Sequence, residues 1–246
     1  MGLTVSVLTS GTPHGATQVT AAPRARLATT YLPMYVGNYE TGLRQFQSTP
    51  WNDLPYAPTL VRTPTFDGGY AGRYTIPAGG HRCESVPNLR SFHNGDDLWF
   101  QFSTRLAGNF PLSTSRWQVL TQWKNSGDGS PPLELVVAGG MWRIDGGWGY
   151  PGGPRMDWRL LGRARLNVWE TWTLHVKFSS NPWAGAVSVR RNGVAVVPGW
   201  RPKAGTLYPG QTSYMKIGYY RDPLINQTGT VYHDRLKVGT TPWSVR

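Results

Sequence analysis

Strict alternation of side-chain type in residues 213–222 constrains the fold of this chain more than any other stretch. Side chains of a β-strand point in turn to the two faces of its sheet. By this rule Met215, Ile217 and Tyr219 share one face, which is apolar enough for a core. The other face carries two phenols, an ammonium, a carboxylate and a glycine, at Tyr214, Lys216, Gly218, Tyr220 and Asp222. The stretch predicts an antiparallel strand whose polar face suits either solvent or a ligand with an anionic group.

Further alternating stretches predict more strands of the same kind. They are Leu98–Ser103, Trp117–Lys124, Trp172–Phe178 and Thr230–Val238, and Leu133–Val137 is predicted as a further short strand. Asn192-Gly193 joins two more alternating runs, and Asn-Gly in that position is the strongest short-range signal of a β-hairpin. The Gly/Trp/Pro-rich residues 139–154 are expected to form a long functional loop. Because no segment has a helical period and turn signals separate the strands, the pattern predicts an all-β sandwich.

One domain can account for the 246 residues. Residues 1–60 are expected to form an N-terminal arm with the first strands, including short strands at 3–8 and 18–22. Residues 61–246 are expected to form the sandwich itself, in one domain with the arm. The arm is also a candidate for contacts with an assembly partner.

The charge balance favours an anionic partner. The chain has 25 Lys+Arg against 13 Asp+Glu, a net charge of +12 that attracts polyanions. No nucleic-acid-binding motif is visible, so specific nucleic-acid recognition is not expected. Cys83 is the single cysteine, which excludes an intrachain disulfide. No metal or other cofactor is expected, because no His/Asp/Glu cluster has ligand spacing. His93, His175 and His233 are expected in ordinary surface positions.

No apolar run approaches the ~20 residues of a membrane span, and the first residues do not resemble a signal peptide. We therefore expect an extracellular protein that is either secreted after removal of a leader or carried in a virus particle such as that of a phage.

Three short segments carry polar groups two residues apart and would line one groove if they shared a sheet. They are Arg82–Glu84, Gln122–Lys124 and Tyr214–Tyr220. In this order they resemble the Arg-x-Glu, Gln-x-His and Tyr-x-Lys-x-Gly-x-Tyr motifs of jelly-roll polysaccharide lyases. The similarity is to the heparin lyase I-like and glucuronan lyase branch, with alginate lyases as more distant relatives, and it covers roughly residues 60–240.

The resemblance implies a concanavalin A-like jelly-roll sandwich of two antiparallel sheets. It also implies β-elimination on an acidic, uronic-acid-containing polysaccharide, without a metal. Arg82 and Gln122 would neutralise the substrate carboxylate, since hydrogen bonds aimed at developing negative charge are often the largest catalytic contribution. Tyr220 would protonate the leaving oxygen and, in a syn elimination, also act as the base. An unperturbed tyrosine titrates near 10, so the role of base requires neighbouring cations such as Lys216.

The sequence departs from the family pattern at Lys124, which stands where a histidine is usual. A lysine is a base only if its pKa is strongly depressed; otherwise Lys124 would support the substrate electrostatically. The residues expected to bind substrate are Glu84, Lys216, Tyr214, Arg90 and Trp148. For Glu84 a structural bridge to a neighbouring cation is the alternative.

Two functions therefore stay open at this point. The first is a polysaccharide lyase that keeps Arg82, Gln122, Lys216 and Tyr220. The second is a non-catalytic carbohydrate-binding or structural protein, on a virion or a cell surface, that has the fold of a lyase.

Overall fold

The computed structural model describes residues 1–2, 31–47, 49, 52, 56–147 and 156–246. The chain divides into two units, Met1–Thr30 and Tyr31–Arg246, and all of the strands belong to the second. The predicted strands at 3–8 and 18–22 lie outside the described residues. A short 3₁₀ helix, Leu43–Gln45, is the one helical element of the described part.

The described residues form fifteen strands. In chain order they are β1 (Tyr35–Gly37), β2 (Phe46–Gln47), β3 (Thr59–Val61), β4 (Ala71–Ile76), β5 (Arg82–Pro87), β6 (Asp97–Leu106), β7 (Gln118–Asn125), β8 (Leu133–Ala138), β9 (Met141–Gly146), β10 (Trp158–Arg163), β11 (Trp169–Lys177), β12 (Ala186–Arg191), β13 (Val194–Trp200), β14 (Ser213–Arg221) and β15 (Gly229–Gly239).

The strands form two sheets in which every pairing between strands is antiparallel. The front sheet has the order β10-β9-β8-β7-β14-β5-β2, and the back sheet has the order β13-β12-β11-β6-β15-β4-β3 with β1 paired to β15. The prediction of an all-β sandwich of two antiparallel sheets is therefore confirmed. The strand that carries the most distinctive sequence pattern, β14, lies near the middle of the front sheet between β7 and β5.

The core lies between the two sheets and is built from the predicted apolar faces. Met215, Ile217 and Tyr219 of β14 are at most 1% exposed. They belong to the same buried cluster as Phe100 of β6. Trp123 of β7 packs edge-on against Phe100, with ring centroids 5.3 Å apart, and so joins the two sheets. Burial of one large apolar side chain contributes roughly 1.5–3 kcal/mol, which makes the alternation of these strands decisive for the fold.

The Asn-Gly hairpin forms as the sequence predicts. β12 and β13 pair on either side of Asn192 and Gly193, which both have positive φ, 50° and 82°. That backbone matches the twist of the strands it connects, and asparagine and glycine adopt it with little strain.

Two expectations are wrong. The predicted loop at 139–154 begins instead with a tight turn at Gly139-Gly140 and then strand β9, in which Trp142 and Ile144 are fully buried. His233 does not lie at the surface, because it shares strand parity with the buried Val231 and points between the sheets. There its Nε2–H donates to the carbonyl of Gly218 at 2.8 Å, while Nδ1 accepts from Thr104 Oγ1 at 3.0 Å.

Candidate active site

The topology of the front sheet brings the three motif segments together. β14 pairs with β7 so that Lys216 lies opposite Gln122, and it pairs with β5 so that Tyr220 lies opposite Arg82. Residues that are distant in the chain thereby occupy neighbouring positions on one face of the sheet.

That face forms the floor of a cavity of about 950 Å³. Five of the predicted site residues line it, namely Arg82, Gln122, Lys124, Lys216 and Tyr220. The surrounding walls include further charged and aromatic side chains, at Arg116, Trp117, Glu134, Arg143, Asp145 and Asp222. A cavity of this size suits a ligand of several rings.

Aromatic and cationic contacts hold the ring of Tyr220 in the cavity. The guanidinium carbon of Arg82 lies 4.2 Å from the centroid of the ring, which is a cation–π distance. The ring of Trp117 lies 4.8 Å away, and that of His81 lies 6.2 Å away. His81 immediately precedes β5, and the alternation of that strand does not predict its proximity to Tyr220.

Glu84 is buried next to the cavity and contacts three of the side chains that line it. Its carboxylate is 2% exposed. Oε1 accepts from Gln122 Nε2 at 2.5 Å, and Oε2 lies 3.4 Å from Arg82 Nε and 3.7 Å from Lys216 Nζ. Burial raises the pKa of Glu84, while Lys216 and Arg82 act in the opposite direction. Glu84 does not line the cavity, and this position favours the structural bridge over direct substrate binding.

The backbone of Glu84 is bound as well, by a residue that the sequence did not suggest. Asn52 accepts from the amide N–H of Glu84 at 3.1 Å and donates its own Nδ2–H to the carbonyl of the same residue. An isolated asparagine in a Pro-rich stretch has no signal in the sequence that would identify this role.

The two lysines of the site differ in their surroundings. Lys124 Nζ donates to Asn125 Oδ1 at 2.7 Å, to the carbonyl of Gly127 at 2.8 Å and to that of Asn125 at 3.3 Å. These three acceptors match the three N–H donors of an ammonium group. Burial and the charges of Lys216 and Arg82 lower the pKa of Lys124. Burial likewise lowers the pKa of Lys216, which is 5% exposed and close to Glu84.

Besides Glu84, two described residues that were expected to bind substrate, Tyr214 and Arg90, do not line the cavity. Tyr214 lies opposite Lys124 in the sheet, with its ring 5.7 Å from Lys216 Nζ. Arg90 forms a two-pronged ion pair with Asp96, at 2.7 and 2.8 Å, and so its guanidinium is already bound to a carboxylate. Trp148 lies outside the described residues.

Gly218 has a different role from the one that its sequence position suggests. Between Tyr214 and Tyr220 it looks like a gap that admits a sugar ring. In the structure its φ is +152°, and a Cβ there would lie 2.5 Å from the carbonyl oxygen of Cys83 and 2.7 Å from the Cα of Glu84. The glycine therefore allows β14 and β5 to approach at an irregularity of the sheet, where the register shifts between Ile217 and Tyr220.

Two carboxyl groups of the cavity, Glu134 and Asp145, were missed. Burial and the neighbouring Asp145 raise the pKa of Glu134 to about 8, and burial raises that of Asp145 to about 6 despite its ion pair with Arg143. Glu134 was visible as the one charged residue in the apolar strand Leu133–Val137. Asp145 had no signal of this kind, because it stood in the predicted loop.

Within the described ranges, no three His, Cys, Asp or Glu side chains are grouped in a way that could hold a metal ion. In the same part of the chain, no helix is long and apolar enough to cross a membrane.

Comparisons with known proteins identify the fold and the family of the chain. No curated protein sequence matches the chain. Among solved structures, an endo-β-1,4-glucuronan lyase from the fungus Trichoderma reesei matches 87% of this chain and 98% of its own, with a TM-score of 0.72 and 16% identity. The family 7 alginate lyase A1-II′ matches 76% and 84%, with a TM-score of 0.56 and 14% identity. The cellulose-induced protein Cip1 matches 84% and 97%, with a TM-score of 0.58 and 11% identity.

At such identities these structures share a fold with this chain, and they confirm the predicted jelly-roll sandwich. The family is shown by sequence, since a model of the polysaccharide lyases matches residues 39–237. The predicted lyase enzyme is confirmed at this level, and the chain belongs to the polysaccharide lyase family.

Proposed function

We propose that this lyase cleaves a uronic-acid-containing polysaccharide by β-elimination in the cavity of the front sheet. One observation carries the proposal: Arg82, Gln122 and Tyr220 line the same cavity, with the guanidinium of Arg82 against the ring of Tyr220. Two similar structures, a glucuronan lyase and an alginate lyase, support an acidic polymer as substrate.

The reaction first needs a site for the carboxylate next to C5 of the sugar. Arg82 is 29% exposed in its side chain, so its guanidinium has donors on the cavity side while Nε faces Glu84. The amide of Gln122 has two N–H donors, and one of them is bound to Glu84. The other donor and the guanidinium can bind the carboxylate and stabilise the charge that develops when the C5 proton leaves.

Tyr220 then performs the proton transfers. Its oxygen accepts the C5 proton as the C4–C5 double bond forms and the C4–O bond breaks. The hydroxyl returns a proton to the departing oxygen, so one residue serves as base and acid in a syn elimination. The substrate is divided into a chain with a new reducing end and a chain with an unsaturated sugar.

Lys124 supports this route by its charge and does not act as the base. All three N–H donors of its ammonium group have acceptors in Asn125 and Gly127. Together with Lys216 it adds positive charge to the cavity, which favours an anionic polymer. We also propose that the enzyme acts outside the cell, either secreted or carried on a virus particle.

Tyr220→Phe tests the mechanism. We expect the rate of formation of unsaturated product, measured by its ultraviolet absorbance on glucuronan, alginate, heparin and hyaluronan, to fall about 10²–10⁴-fold, as expected for loss of a general acid–base group. Tyr232→Phe removes a phenol from the back sheet and should leave the rate unchanged. Retained activity in Tyr220→Phe would contradict the assigned proton donor. A wild-type protein that binds these polymers but forms no product would instead favour the non-catalytic alternative.

A further inference from the structure

We propose that Asp145 and Glu134 form a subsite that binds the hydroxyl groups of the polysaccharide, next to the position where Gln122 binds its carboxylate. The inference rests on the proposed function, because the ligand is the same polymer. It assigns a role to two acidic side chains in a cavity that is otherwise suited to an anion.

The sheet places the two carboxyl groups in one row with the proposed carboxylate site. Across β9, β8, β7 and β14 the paired residues are Asp145, Glu134, Gln122 and Lys216. All four line the cavity. Neighbouring strands are ~4.8 Å apart, so Glu134 is one strand from Gln122 and Asp145 is two. A polymer that fills the row therefore lies next to both carboxyl groups.

One carboxylate oxygen of Asp145, Oδ1, accepts no hydrogen bond within the described part of the chain. The residue is 1% exposed, and its Oδ2 accepts from Arg143 Nη2 at 2.6 Å. Its Oδ1 is buried and has no hydrogen-bond partner among the described residues. A buried acceptor of this kind is costly unless a donor is supplied. Sugar hydroxyls can supply one, whereas a uronate carboxylate has acceptors only.

Glu134 can supply a hydrogen-bond donor, in contrast to the acceptor of Asp145. It makes no hydrogen bond or ion pair within the described part of the chain, and its pKa is raised to about 8, so the carboxyl group is protonated near neutral pH and can donate. The charged groups that act on its pKa are Asp145 and Arg143 from β9 and Glu84 from β5. Lys124 from β7 and Lys216 from β14 line the same cavity. A neutral Glu134 avoids repulsion with Asp145 and with the polyanion.

A protonated donor beside an ionised acceptor matches a hydroxyl group, which both donates and accepts. A carboxylate or sulfate at the same position would face the charge of Asp145. The subsite therefore selects a uronic acid polymer whose hydroxyls are free there and disfavours one that is O-sulfated or O-acylated at that point.

The test measures affinity by calorimetry in the Tyr220→Phe protein, with an oligomer of β-1,4-linked glucuronic acid as the probe. Above a pH of about 8, ionisation of Glu134 removes the donor, and we expect the dissociation constant to rise about 5- to 30-fold, the effect of one lost hydrogen bond. Glu134→Gln in the same background keeps a donor at every pH. It should bind normally near neutral pH and lose the alkaline rise.

A merely structural role for Glu134 would not remove a pH dependence in this way. If the rise persists in Glu134→Gln, or if the oligomer does not bind at any pH, the subsite is wrong. Two modified oligomers test whether a hydroxyl group or a carboxylate of the polymer binds at Glu134. Carboxyl reduction should weaken binding but keep the alkaline rise, whereas O-methylation should abolish the rise; the reverse result would place the carboxylate at Glu134. These experiments measure affinity and therefore test the subsite. The lyase mechanism is tested separately, because its failure would appear as the absence of unsaturated product.

Discussion

Replacement of Gly218 by alanine tests whether this glycine serves the packing of the sheet or the entry of a sugar. The new Cβ would lie 2.5 Å from the carbonyl oxygen of Cys83, 2.7 Å from the Cα of Glu84 and 2.9 Å from Cδ1 of Tyr74. Two of these three atoms belong to backbone, which cannot move aside alone. The φ of +152° is an additional strain for any residue with a side chain.

Each of the two effects has a typical size. An unfavourable backbone conformation costs about 1–3 kcal/mol. Overpacking in a dense interior costs about another 1–3 kcal/mol. We therefore expect Gly218→Ala to lower the free energy of unfolding by about 2–6 kcal/mol, a large part of the 5–15 kcal/mol of a typical domain. Because β5 must shift, Arg82 and Glu84 would also move and activity would fall.

Equilibrium unfolding in urea measures the change in the free energy of unfolding, from the midpoint of the transition and the dependence on urea concentration. Gly199→Ala is the matched control, since that glycine also lies in a strand but an added Cβ meets nothing within 4 Å. Its unfolding free energy should stay within about 0.5 kcal/mol of wild type. If Gly218→Ala proves equally stable and raises only KM, the glycine leaves room for the substrate and the packing argument is wrong.

Two further predictions concern buried polar groups of the core. Arg221 is fully buried and donates to the carbonyls of Gly80, Gln227 and Pro77 at 3.1, 2.6 and 2.8 Å; Arg221→Met leaves these acceptors unpaired and should cost about 3 kcal/mol or more. Calorimetry should show a larger fall in Tm than for the exposed Arg190→Met, and equal shifts would refute the argument. Burial lowers the pKa of His233 from 6.5 to about 4. Between these two pH values the folded state therefore binds fewer protons than the unfolded state. The free energy of unfolding should fall by up to about 3 kcal/mol as the pH drops through this range. His233→Gln should reduce this acid dependence in urea unfolding, and an unchanged dependence would exclude His233 as its source.

The strands with clear alternation could be predicted because a sandwich buries one face of each. Met215, Ile217 and Tyr219 were assigned to the core on parity alone, and all three are buried there. β9 was missed although Trp142 and Ile144 alternate with Arg143 and Asp145, because glycines and tryptophans around it are typical of a loop.

The sequence predicted which residues of the candidate site share one face of the sheet. It did not predict how deeply each side chain is buried or what it contacts. Parity placed Arg82 and Glu84 on the same face, yet only the structure shows that Glu84 is buried and hydrogen-bonded to Gln122. Arg90 was expected to bind substrate in place of a second arginine that is usual in the lyase family. Its ion pair with Asp96 depends on a turn that the sequence pattern does not define. Asp145 becomes a neighbour of Glu134 only through the register of β8 and β9.

The position of β14 between β5 and β7 also has a consequence for how the chain acquires its activity during synthesis. Two of the three motif segments are made early, but the strand that joins them is complete only at Arg221. Pairings between residues so far apart in sequence slow the folding of β-rich proteins. A growing chain exposes the edges of β5 and β7 until the last strands leave the ribosome, and unpaired edges are prone to aggregation. The enzyme therefore depends on its C-terminal strands both to complete its catalytic groove and to protect the half-formed sheet.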